Sequence, residues 1–301
     1  MIEQIRSEGL LSEGRPVVVL YSGGRDSTCL LDLAARVTGA TTVHALHVNY
    51  GLRDEADADE RHCSQACEQL GVELTVERPR RPPTGNIQAW AREERYGAAA
   101  ALAHGQAEIA TGHTATDQVE TILYRLASSP SRRALLGMSA RDGAVIRPLL
   151  SFTRAETAEY CQRRGLEWRE DETNDSDTYA RGRIRNALVP ALEAAHPAAV
   201  QNVLSTAGIL RAEAAVLDEL VGEALGERDE IELARLRELP PALRRLVVQR
   251  LADTAAGGLA PGAARRADEI AALNNGNALD IGSGVRAVVE HRIVRFEKLK
   301  M

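Results

Sequence analysis

A short apolar run that ends in two adjacent glycines constrains this chain more than any other feature. Residues 16–21 (PVVVLY) are bounded by Pro16 and the Gly23-Gly24 pair, and the next stretch places Cys29, Leu30, Leu33 and Val37 on one helical face. Strand, tight loop and helix are expected in that order. The glycines let the backbone turn sharply and approach an anion, and the amides of the helix that follows face it. Ser22, Gly23, Gly24, Arg25, Asp26 and Ser27 are therefore read as a phosphate-binding loop, with Ser22, Ser27 and Thr28 as hydroxyl donors. A carboxylate beside phosphate is best explained as a Mg²⁺ ligand, which assigns Asp26. Helix capping by Asp26 would not call for Ser-Gly-Gly in front of it. The loop contains no lysine and neither G-x-x-x-x-G-K-[ST] nor G-x-G-x-x-G, which argues against P-loop kinases and dinucleotide enzymes.

The alternation continues downstream. Runs at 41–49, 72–77 and 107–111 read as strands, and stretches at 55–70 and 86–104 read as helices. Such a series predicts an α/β fold, a doubly wound, mostly parallel sheet with helices on both faces. Three loops then line one crevice at the carboxyl ends of the strands: Ser22 to Ser27, His47 to Gly51 and Gly112 to Asp117. After residue 195 the pattern changes to long helices near 198–225 and 240–255, then short strands near 278–281, 284–290 and 292–296. With 301 residues, more than one core usually holds, two domains are expected. Residues 1–196 form the catalytic domain and 197–301 a smaller helical and α+β domain, with the boundary at His196-Pro197.

Only 3% of the residues are aromatic, so the core is built from Ala, Val, Leu and Ile. No apolar run approaches the roughly 18 residues that cross a bilayer, and Glu3, Arg6, Glu8, Glu13 and Arg15 leave no signal-peptide core, which points to the cytoplasm and away from membranes. The four cysteines contain no C-x-x-C pair and read as buried thiols. A net charge of −6 does not exclude nucleic acid, because arginines cluster locally at 78, 80 and 81, at 132 and 133, and at 181, 183 and 185. The last three spread over about 200° of a helix and cannot share one narrow face. The sequence leaves the oligomeric state open.

YSGGRDST (21–28) resembles the SGGxDS signature of the PP-loop ATP pyrophosphatases, whose fold is of the adenine nucleotide alpha hydrolase type. HVNYGLR (47–53), the segment Ala91-Arg92-Glu93-Glu94-Arg95-Tyr96, TGHTATDQVET (111–121), GMSARDGAVIRPLL (137–150) and the segment 168–192 resemble, in order, the tRNA(Ile)-lysidine synthetases. The resemblance covers about residues 15–195 and extends over 198–301 only in general layout, as a short family member without the additional C-terminal domain of longer ones. It implies an enzyme that uses ATP and Mg²⁺ to join free L-lysine to C2 of the wobble cytidine of tRNA(Ile) with a CAU anticodon, through an adenylated tRNA. It implies Asp26 and Asp117 as the metal and catalytic carboxylates, His113 near the ATP or the reacting base, and His47 with the loop residues as nucleotide contacts. Arg92 is expected to hold a phosphate or the lysine carboxylate. The arginine pairs 244-245 and 265-266 are expected to help grip the tRNA.

Three departures stand out. Thr116 occupies a position where the family commonly has a second acidic residue, Gly182 replaces a usual asparagine, and 127–133 lacks the usual Arg-Gly-rich turn. A tRNA thiolase on the same scaffold and a catalytically weakened RNA-binding homologue are the alternative readings.

Overall fold

Four consecutive aliphatic residues, Val17–Leu20 (β1), suit a strand covered on both faces, and this strand lies at the centre of its sheet. Val17 and Val19 pack with Ile5, Leu30, Leu33 and Cys161, whereas Val18 and Leu20 pack with Leu46, Ala99 and Ile109. The computed structural model describes residues 1–52, 54–80, 85–128, 132–169, 180–226 and 228–299. Arg53, Arg81, residues 129–131 of the 127–133 loop and residues 170–179 of the 168–192 segment lie outside the described residues.

Among the described residues the sheet has the order β3-β2-β1-β4-β6-β5. Strands β2 (Val43–Val48), β3 (Glu73–Glu77) and β4 (Glu108–Ala110) are parallel to β1. A short hairpin completes the sheet: β6 (Val145–Ile146) runs parallel to β4 and β5 (Arg141–Asp142) antiparallel to β6. The doubly wound, mostly parallel sheet is thus present, with one antiparallel edge strand in addition. Strand order reverses beside β1, with β2 on one flank and β4 on the other, and such a switch point is where a ligand crevice is expected, at the carboxyl ends of the strands.

The helices of this part are α1 (Ile2–Glu8), α2 (Arg25–Thr38), α3 (Ala56–Leu70), α4 (Ile87–Ala103), α5 (Ala115–Ser128), α6 (Arg132–Leu136), α7 (Arg154–Arg164), α8 (Ala180–Arg183), α9 (Val189–Ala195) and α10 (Ala199–Leu225). One π-helical turn, Ile184–Leu188, lies between α8 and α9. Helix α7 carries a complete capping box, in which Thr153 and Glu156 satisfy each other's backbone amides, and it stops at Gly165 in a left-handed conformation.

The chain divides into two compact units, Met1–Gly208 and Ile209–Met301, so the division falls within α10. The turn at His196-Pro197 marks the approach to that helix. The second unit is built from α11 (Leu233–Glu238), α12 (Pro241–Ala256), α13 (Ala267–Ala271) and an antiparallel sheet of order β7-β10-β9-β8. Its strands are β7 (Glu230–Glu232), β8 (Ala278–Gly282), β9 (Val285–Glu290) and β10 (Ile293–Lys298). Leu236, Val247, Val248, Ile270, Val285, Ala287, Val289 and Val294 form its core. Among the described residues no helix is long and apolar enough to cross a membrane.

Candidate active site

The loop after β1 is knitted together by its own hydroxyls. Ser27 Oγ donates to the Gly24 carbonyl at 2.8 Å and lies 3.1 Å from Ser22 Oγ, and the Gly24 amide donates to Ser22 Oγ at 3.4 Å. Gly24 is the N-cap of α2 and among the described residues no side chain caps this helix, which leaves the first-turn amides available to an anion. Asp26 sits within that first turn and is not the cap.

Two glycines are required by geometry. Gly23 has φ +78°, and a Cβ there would come within 3.0 Å of Cys63 Sγ. Gly112, after β4, lies against the loop so closely that a Cβ would stand 3.2 Å from the backbone of Asp26 and Ser27. Two of the three predicted loops are thereby brought into direct contact. From the third, His47 is buried and its Nδ1 lies 3.0 Å from the Tyr21 carbonyl, so it braces the corner between β1 and the phosphate loop.

Asp26 and Asp117 are brought together by a residue that sequence reasoning did not single out. Arg154, the first residue of α7, reaches Asp117 Oδ1 through Nη2 at 2.5 Å and Glu120 Oε1 through Nη1 at 3.0 Å. Its Nε stands 3.7 Å from Asp26 Oδ2. The remaining oxygens are held by other donors. Asp26 Oδ1 accepts from Thr157 Oγ1 at 2.6 Å and Arg25 Nε at 3.1 Å, while Asp117 Oδ2 accepts from the Thr114 amide at 2.9 Å and hydroxyl at 2.7 Å. Burial pushes the Asp117 carboxyl up, but Arg154 and the two Thr114 donors outweigh it, so its pKa lies below the ordinary carboxylate value.

Glu120, 1% exposed, is shared with Arg185, whose Nε and Nη2 lie 2.8 and 3.1 Å from its two oxygens. Arg181 donates to Thr121 Oγ1 at 3.2 Å. Arg181 and Arg185 thus both reach α5, while exposed Arg183 lines a groove with Tyr124, Ile184 and Leu188. At Thr116, where the resemblance places an acidic residue, the hydroxyl accepts the Arg154 amide at 3.2 Å and fixes the start of α7.

His113 lies 2.7 Å from Thr111 Oγ1 through Nδ1. Burial lowers its pKa to about 4; the nearby Asp117 opposes this, and Arg147, Arg181 and Arg95 add to it. The imidazole is therefore neutral at pH 7. Between pH 6.5 and 4 the unfolded chain binds a proton at this residue that the folded chain refuses, so stability contributed above pH 6.5 is lost as pH falls through that window. His113→Gln is expected to lose less stability than the parent between pH 7 and 5 in urea titrations; parallel losses would contradict the assignment.

Arg92 does not join the Asp26–Asp117 network. It is exposed on α4 and stacks over the Tyr96 ring at 4.7 Å. Arg95, one turn away on the same helix, has a buried Nε without a hydrogen-bond partner among the described residues and acts electrostatically on His113. In the second unit, Arg244 donates to the carbonyls of Leu236, Arg237 and Leu239 and to Asp268, and Arg266 to the Asp280 carbonyl and Glu269. One arginine of each expected pair therefore braces its own unit, while Arg245 and Arg265 are exposed.

The donor set suits a hard divalent cation. Asp26 Oδ2 and Asp117 Oδ1 converge on one cationic position, and Mg²⁺ is commonly held by one or two carboxylates together with substrate phosphates. Among the described residues no group of three His, Cys, Asp or Glu side chains is arranged to hold a metal alone.

The PP-loop domain family matches residues 2–192. The tRNA(Ile)-lysidine synthase of Chlorobaculum tepidum is 31% identical over 99% of this chain and 95% of its own length. That of Pseudomonas fluorescens is 37% identical over 67% of this chain but 47% of its own length, so the chain spans about half of that relative. Among solved structures, the U34-tRNA thiolase NcsA from Methanococcus maripaludis with its [4Fe-4S] cluster has a TM-score of 0.58 at 17% identity, covering 70% of this chain and 77% of that one, a likeness of fold. The phosphate loop at the sheet's switch point and the match along the whole chain make this protein a member of the PP-loop domain family, among the relatives named tRNA(Ile)-lysidine synthase.

Proposed function

We propose that the chain uses ATP to join free L-lysine to C2 of the wobble cytidine of tRNA(Ile) with a CAU anticodon, through an adenylated tRNA, in the cytoplasm. The observation that carries this reading is the convergence of Asp26 and Asp117 beside the uncapped amides of α2, in a chain alike along its whole length to one relative of that name.

The first step joins the C2 carbonyl oxygen to the α-phosphate and releases pyrophosphate. The α2 amides and the Ser22 and Ser27 hydroxyls hold the departing anion in place before charge develops on it. Asp26 and Asp117 would hold a Mg²⁺ ion, which would supply further charge neutralisation there. In the second step the lysine ε-amine displaces AMP at C2, which requires the amine uncharged. Neutral His113 offers a hydrogen-bond partner without adding positive charge to a crevice that already holds Arg154 and Arg185.

A base that reacts must leave its stack, which favours a single-stranded loop as substrate. The groove beside α5 suits that need, since exposed Tyr124 offers a stacking face and Arg183 a cation. Arg245 and Arg265 are the second unit's candidate phosphate contacts. Replacing both by alanine is expected to lower the salt slope of tRNA binding by about two while ATP binding holds; an unchanged slope removes them from the interface. All four cysteines are buried, at most 1% exposed, which disfavours thiol delivery to a base.

Adenylation tests this function directly. Pyrophosphate release from ATP is expected to rise when tRNA(Ile) with a CAU anticodon is added without lysine, because the first step needs no amine. Release that ignores tRNA would overturn the reading.

A further inference from the structure

Three side-chain nitrogens of Arg154 face three different carboxylates, and the grip is uneven. The contacts to α5 are close, 2.5 Å to Asp117 and 3.0 Å to Glu120, whereas the contact to the loop carboxylate of Asp26 is 3.7 Å, beyond hydrogen-bond range. Each aspartate has one oxygen pinned by neutral or loop donors and turns the other toward this guanidinium. The position where a cation would bridge the two aspartates is therefore filled by a cation of the protein's own.

We propose that Arg154 is a positioning residue that acts as a built-in counter-cation: it holds Asp26 and Asp117 together before loading and must yield to the divalent cation that enters with nucleotide. This inference rests on the nucleotide- and cation-binding part of the proposed function.

The surroundings allow such an exchange. The Arg154 backbone is fixed, its amide donating to Thr116 Oγ1 at 3.2 Å within a capped helix start, so the movement belongs to the side chain alone. Glu120 keeps its two bonds from Arg185 when Arg154 shifts, so no buried carboxylate is stranded. The incoming phosphates supply a new anion for the displaced guanidinium, whose planar fork suits them. A guanidinium and a divalent cation repel each other at one position, so the metal alone competes poorly. With nucleotide present, the added negative charge lets both stay. Metal loading is thereby coupled to nucleotide loading.

The test uses the full chain, MgCl₂ alone as the probe and the thermal midpoint as the readout, because a ligand that binds the folded state raises that midpoint. Arg154→Met is expected to melt below the parent in EDTA, where Asp26 and Asp117 lose their counter-charge. Mg²⁺ without nucleotide should then raise its midpoint, with a half-effect concentration at least tenfold below the parent's. Asp117→Asn in that background should erase the gain. Arg154→Lys, which keeps the charge but loses the fork, should lie between the two. Should Arg154→Met fail to fold in EDTA, the lysine variant carries the same comparison. Equal Mg²⁺ responses in parent and variants would overturn the proposal, since a residue of purely structural importance changes the starting midpoint and not the metal response. The readout uses neither tRNA nor lysine, so a parent protein that makes no lysidine would sink the proposed reaction through a separate measurement.

Discussion

Asp26→Asn is expected to reduce ATP-dependent pyrophosphate release by at least 10²–10³-fold, on the order seen when one preorganised charge-stabilising group is removed from an active site. The substitution keeps the shape of the side chain, and an amide oxygen can still accept from Thr157 Oγ1, which lies 2.6 Å from Oδ1 in the parent. What it removes is the charge on Oδ2, the oxygen that faces Arg154 and the expected Mg²⁺ position. The phosphate loop should keep its form, because the hydroxyl bonds that join Ser22, Gly24 and Ser27 do not involve Asp26, and an amide oxygen can still accept from Arg25 Nε, which lies 3.1 Å from Oδ1 in the parent. Steady-state pyrophosphate release, with a thermal melt to confirm folding, checks this. Near-normal release from a well-folded variant would mean that Asp26 serves only to organise the loop.

Glu120→Ala is expected to cost about 3–5 kcal/mol of stability, the usual cost of breaking a buried ion pair from one side. Glu120 is 1% exposed and is the carboxylate shared by Arg154 and Arg185, so its loss takes a counter-charge from two guanidiniums at once. Urea denaturation of the parent and the variant checks the value. A cost under about 1 kcal/mol would show that solvent reaches this cluster and screens it, as at an exposed pair.

Both predictions concern a network that the sequence reveals only in part. The strand, tight loop and helix around Gly23-Gly24 were legible because their information is local: an aliphatic strand, two glycines and an apolar helical stripe follow one another within residues 16–37. The helix predicted behind the two glycines, with Cys29, Leu30, Leu33 and Val37 on one face, spans Arg25–Thr38, and the strand predicted at 72–77 spans Glu73–Glu77. The run at 41–49 illustrates the limits of propensity. Its β-branched Thr41 and Thr42 belong to a short helical turn, Ala40–Thr42, because Thr42 Oγ1 bonds back to the carbonyls of Thr38 and Gly39. Strands β5 and β6 have two residues each, too few to show any periodicity.

Helix α7 had readable signals, the Thr153-x-x-Glu156 box and the Gly165 stop. The role of its first residue did not. Arg154 lies 34 and 37 residues from its α5 partners and still farther from Asp26, and nothing in the local pattern joins them before the sheet brings α2, α5 and α7 together. His47 and Arg92 show the converse. Their segments resemble the family, but that His47 lies against the Tyr21 carbonyl and that Arg92 stacks on Tyr96 is decided by three-dimensional packing.

Transfer of lysine to cytidine is the step that separates the proposed function from its alternatives. The most direct measurement incubates the purified protein with ATP, Mg²⁺, isotope-labelled lysine and bulk tRNA, then digests the RNA and weighs its nucleosides by mass spectrometry. A cytidine that has gained labelled lysine, absent when Asp117→Ala replaces the parent, is the predicted result. Pyrophosphate release with no lysine on any nucleoside would contradict the account and point to a different nucleophile, and the absence of both products would favour an RNA-binding protein that has lost the chemistry.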